Sequence, residues 1–74
     1  MSTIKKRSVS LSGHRTSYSV EDEFLEILKS MADAQHIPLA RLISQIDGAR
    51  LNRTNLSSAL RLAALDYVKS ATSG

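Results

Sequence analysis

Between Arg15 and Ile46, one short alternating segment runs straight into two short amphipathic helical patterns, and none of the three can bury its apolar face alone. Arg15-Thr16-Ser17-Tyr18-Ser19-Val20 puts Thr16, Tyr18 and Val20 on one side and Arg15, Ser17 and Ser19 on the other. A period of two marks a strand with one covered face. A lone strand leaves its backbone donors and acceptors unpaired, and a two-stranded ribbon still needs helices beneath it. The simplest source of both is a second copy of the chain.

The chain has 74 residues, enough for one small domain that is marginal unless something staples it. It contains no cysteine, which excludes disulfides and thiolate metal sites. Its two histidines, His14 and His36, lie too far apart in sequence for the usual metal-ligand spacing. No cofactor is expected, and self-association is left as the stabiliser. The first ten residues are too polar for a signal peptide, and no apolar run is long enough to span a bilayer. A cytoplasmic location without membrane contact is expected.

Charge is unevenly spread. The net charge is +3, yet residues 1–20 carry +4 with no acid, residues 21–36 carry −4, and residues 37–74 carry +3. A basic, strand-forming front end suits a polyanionic partner. For residues 1–7 the plainer alternative is a solvated tail.

Along the chain, residues 1–6 read as a disordered basic arm and 70–74 as a disordered tail, flanking a single domain at 7–69. Arg7-Ser8-Val9-Ser10-Leu11-Ser12 also alternates, and Gly13-His14 between the two runs is a candidate hairpin turn. The first run is therefore either the other half of a hairpin in the same chain or an arm that orders on binding. The first helix should start near Glu21 or Asp22, with Ser19 and Asp22 in a capping pattern and acids at the positive end of its dipole. Its apolar stripe is Phe24, Ile27, Leu28, Met31 and Ala32, widened by Leu25. It should end near Gln35 or His36, because Pro38 disfavours helical geometry at Ile37. Pro38 opens a second helix with Leu39, Leu42, Ile43, Ile46 and Ala49 on one side. After a polar loop at 50–54, Thr54 or Asn55 caps a third helix over 55–69.

No catalytic pattern stands out. None of the twelve serines sits in a nucleophile elbow, and the three glycines are scattered rather than clustered into a phosphate loop. Glu21, Asp22 and Glu23 are explained by the helix start. With only three aromatic residues, no stacking platform for single strands is evident. A binding module is expected rather than an enzyme.

Two features point to duplex DNA. Arg15, Ser17 and Ser19 would project together from the uncovered face of the strand. Paired with a second copy they make a patch of guanidinium and hydroxyl groups that fits the major groove. The wet face of any half-buried sheet looks similar, and the absence of acid before residue 21 favours DNA. The start of the second helix offers the free N–H groups of Leu39 and Ala40 beside Arg41, an anion cradle of the kind that every helix start can form. Lys5, Lys6, Arg7 and His14 are further candidates for phosphate.

A strand, an acidic helix start followed by Phe24, and a second helix opening after Ile37-Pro38 resemble the ribbon–helix–helix DNA-binding fold. Lys6-Arg7-Ser8-Val9, Gly13-His14-Arg15-Thr16-Ser17, Glu23-Phe24 and Asn55-Leu56-Ser57-Ser58-Ala59-Leu60-Arg61 look like a group of small stand-alone bacterial members. The resemblance covers roughly residues 6 to 69. It implies a mainly α fold with a short strand, an intertwined homodimer and an antiparallel ribbon formed between chains. The dimer core would hold Tyr18, Val20, Phe24, Leu28, Met31, Leu42, Ile43 and Ile46. Base contacts map onto Arg15, Ser17 and Ser19, and the phosphate clamp onto Leu39, Ala40 and Arg41, in a transcriptional regulator of double-stranded DNA. The run at 7–12 and the helix at 55–69 go beyond the typical member. The added helix could shield the core, build a tetramer, or grip a partner protein as an antitoxin or adaptor does.

Overall fold

In the computed structural model, residues 4–11, 13–49 and 55–72 are described. The element order is β1 (Ile4–Leu11), β2 (His14–Glu21), α1 (Asp22–Ala34), α2 (Leu39–Ala49) and α3 (Leu56–Thr72). The two strands form an antiparallel hairpin in which Lys6 faces Ser19, Ser8 faces Ser17 and Leu11 faces His14. The strand expected to find its partner in a second chain finds it in its own. β1 supplies the ladder, which is the hairpin alternative left open for the alternating run at 7–12.

Two boundaries move as well. β1 begins at Ile4, so residues 4–6 belong to the sheet and not to a disordered arm. α3 runs on to Thr72, past the end expected at residue 69. His14 is not part of the hairpin turn, because it already pairs with Leu11. Gly13 carries a φ of +85°, a conformation that side chains resist and glycine does not. Residues 1–3, at the start of the expected arm, residue 12, the segment 50–54 expected as a loop, and residues 73–74 lie outside the described residues.

Alternation sorts the hairpin into two faces. Leu11, Tyr18 and Val20 are buried on the inner one. They join Leu25, Leu28 and Ala32 of α1, Leu42 and Ile43 of α2, and Leu56, Leu60 and Ala64 of α3 in one core. Of the residues expected in a dimer core, Tyr18, Val20, Leu28, Leu42 and Ile43 are buried within the single chain. Phe24, Met31 and Ile46 are only partly covered. Leu25, thought to widen the α1 stripe, is buried more deeply than Phe24.

The helix ends show how the sequence sets the turns. α1 has Glu21 at its N-cap without a side-chain cap, so Ser19 does not serve as the cap. At the other end, His36 N–H donates to the Asp33 carbonyl and Ile37 N–H to the Ala32 carbonyl, each at 3.0 Å. This paired closure needs a left-handed residue between the two helices, and His36 supplies it at φ 59°. Asn55 caps α3, its Oδ1 accepting from Ser58 N–H at 2.8 Å.

Candidate nucleic-acid interface

Since Leu11, Tyr18 and Val20 point inward, the strand period places Lys6, Ser8 and Ser10 of β1 with Arg15, Ser17 and Ser19 of β2 on the outer face. Lys6, Ser8, Ser10, Arg15 and Ser17 are exposed, and Ser19 is half-buried. Ser10 sits opposite Arg15 and Ser8 opposite Ser17, so four hydroxyls fill the span between Arg15 near the turn and Lys6 near the open end. The surface is cationic at both ends and uncharged between them.

The last outer-face position of β2 carries the acid of this face, Glu21, and it is neutralised. Arg61 Nε of α3 donates to Glu21 Oε1 at 2.9 Å, and Arg61 Nη2 donates to the Ser19 carbonyl at 3.2 Å. The hydrogen bond from Arg61, helped by a backbone N–H and the guanidinium charge, holds the Glu21 carboxyl below its ordinary value. Ser57, one helical turn before Arg61, accepts from Ser19 N–H at 2.8 Å. Serine and arginine four residues apart lie on one side of a helix, which lets α3 hold both backbone groups of one strand residue.

Arg7, expected at phosphate, lies on the inner face opposite Tyr18. Its Nη2 approaches Asp22 Oδ1 at 3.7 Å, across the start of α1. Burial pushes the Tyr18 phenol up, and the nearby Arg7 charge opposes that shift. Lys5 shares the inner side, opposite Val20, and is exposed there. His14 heads β2 beside the turn.

The start of α2 comes up against the turn end of the hairpin. Ser10, Leu11, Ile37, Pro38, Ala40, Arg41 and Ser44 line a cleft of about 340 Å3. Arg41 and Leu42 N–H groups both donate to the Pro38 carbonyl, at 3.0 and 3.2 Å. The N–H groups of Leu39 and Ala40 have no partner among the described residues, and Arg41 is exposed beside them. A helix start with free donors and a cation thus adjoins Ser10, the register partner of Arg15. The Leu39 side chain itself packs against the core.

Sequence reasoning put Arg15, Ser17 and Ser19 on one strand face but did not set Ser8 and Ser10 beside them, and it did not separate Lys6 from Lys5 and Arg7. Parity would have done so: once the runs are read as one hairpin, the even positions of the first share a face with the odd positions of the second. Ser57 and Arg61 were missed altogether. Among the described residues, no three His, Cys, Asp or Glu side chains gather as a metal ion would need. No helix there is long and apolar enough to cross a membrane.

Set beside known families, residues 4–68 match the ribbon-helix-helix domain. The chain belongs to that family, whose members are typically non-enzymatic modules that bind DNA as dimers. No curated protein and no solved structure matches it. The match spans both strands and all of α1 and α2, and it reaches well into α3. The additions to the minimal strand and two helices are therefore part of the matched domain.

Proposed function

We propose that this chain is a homodimeric regulator of transcription that lays the outer face of its hairpin in the major groove of double-stranded DNA. The observation that carries the reading is the composition of that face: Lys6 and Arg15 exposed, four hydroxyls between them, and its acid held by Arg61. Arg15 is assigned to base edges, with Ser17 and Ser19 assisting, since arginine pairs with guanine in two-point fashion and hydroxyls accept several bases. Lys6 and Arg41, with the free N–H groups of Leu39 and Ala40, are assigned to phosphates. A pool of random duplexes, selected for binding and sequenced, tests the reading. Recovery of a preferred sequence that Arg15→Ala no longer selects supports it. Salt-insensitive or undetectable retention of every duplex overturns it.

A second reading makes α3 the handle for another protein, as in an antitoxin or adaptor. It is favoured by Leu62, Leu65 and Val68, which lie 61%, 49% and 36% exposed along the side of α3 turned from the core. A stoichiometric partner captured by the wild type and lost on Leu62→Glu would favour it over the first.

A further inference from the structure

Glu21 stands where it could undo the outer face. The register sets Lys6 opposite Ser19, so Glu21, two residues on, is its diagonal neighbour on the same side of the sheet. Diagonal neighbours lie about 7–8 Å apart, within reach of two long side chains. A free carboxylate there would draw the lysine ammonium away from phosphate and repel the phosphates themselves. The Glu21 carboxyl sits below its ordinary value of 4.5, so it is charged at neutral pH. Yet Lys6 makes no ion pair among the described residues. The carboxylate is taken by α3 instead. Arg61 Nε donates to Glu21 Oε1 at 2.9 Å while Nη2 donates to the Ser19 carbonyl at 3.2 Å, and the two bonds together fix the guanidinium plane against the strand.

We propose that Arg61 is a positioning residue for polyanion binding: without touching the duplex, it occupies Glu21 and leaves Lys6 free for phosphate. The inference rests on the DNA-binding function proposed above and gives a residue of α3 a part in it. Lys6, Glu21 and Arg61 together carry one net positive charge, and the pairing of the last two leaves it on Lys6. Take Arg61 away and the remaining pair cancels. Length suits the task as well as charge. Arginine presents several donors in a rigid fork, so one side chain on α3 serves a carboxylate and a backbone carbonyl at once.

The same two bonds would also staple α3 to the hairpin, so the test separates charge from attachment. Duplex retention is titrated against salt for the wild type, Arg61→Gln, Glu21→Gln and the double variant, with chemical denaturation of each as the check on folding. Arg61→Gln should weaken every duplex about threefold or more per chain, the effect of one uncompensated charge about 7 Å from a phosphate in water. It should also lower the salt slope by about one unit per chain, as Lys6 is captured. Glu21→Gln alone should bind at least as tightly as the wild type. The double variant should regain wild-type affinity and slope although the bonds to α3 are still missing. Arg61→Lys keeps the charge and loses the two-point hold. It should bind as the wild type does, and it keeps the test open should Arg61→Gln not fold. A loss that persists in the double variant, or one equally large in Arg61→Lys, makes Arg61 a staple or a direct contact and overturns the proposal. So does a folded Arg61→Gln that binds like the wild type. The DNA-binding reading stands in each of these cases, whereas a wild type that retains no duplex overturns both.

Discussion

The two faces of the hairpin are built from the same sixteen positions and do opposite work. The inner one holds Leu11, Tyr18 and Val20 against three helices and is nearly closed to solvent. The outer one keeps Lys6, Ser8, Ser10, Arg15 and Ser17 in water. Stability should therefore lie on one side of the strands and recognition on the other, with little crossover, because substitutions away from buried features rarely change stability by more than about 0.5 kcal/mol.

The largest expected effect is on the inner face. Leu11→Ala should cost about 2–5 kcal/mol of folding stability in chemical denaturation, since it opens a cavity at a site 2% exposed. If instead stability holds while DNA retention falls, the division between faces is broken. Next comes Arg15→Ala on the outer face, expected to lose about 1–3 kcal/mol of discrimination between preferred and scrambled duplexes with an unchanged melting midpoint. A uniform loss across all duplexes would move Arg15 from bases to phosphates. Lys6→Ala is the smaller partner of that test: it should weaken every duplex alike and lower the salt slope of binding by about one unit per site.

The smallest effect concerns Glu21, the acid on the outer face. Its folded-state carboxyl sits below the ordinary value of 4.5, so the folded chain holds that proton less tightly than the unfolded one. The stabilisation is complete above the unfolded value and fades as pH falls through the lower folded value. Stability measured from about pH 6 down to about pH 3 should thus fall less steeply in Glu21→Gln than in the wild type. Equal slopes would mean that Arg61 contributes nothing at this site. Outside the comparison, His36→Gly should stabilise the chain by up to about 1 kcal/mol, because glycine accepts the left-handed geometry that histidine resists.

Much of this was legible in the residues. Helical spacing and Pro38 fixed α1 and α2 to within a residue or two, Thr54 or Asn55 was the expected cap of α3 and Asn55 is the one that caps it, and period two assigned the faces of β2. What sequence could not say was which chain supplies the partner strand. Alternation specifies which side chains share a face and carries no information about the backbone on the other side of the ladder. Gly13 signalled a turn without its register. The contacts of Ser57 and Arg61 with Ser19 and Glu21 join residues about forty positions apart through backbone and polar groups. Such pairs leave no trace in hydrophobic period. Ser19 looked like a helix cap because the local pattern permits it, and a distant helix claimed its backbone instead.

The seal that α3 places over Ser19 has a consequence for solubility. A hairpin open on both sides can stack copy upon copy without end, which is the route to fibres. Here α3 occupies one border at Ser19, so a strand cannot anneal along the full length of that side.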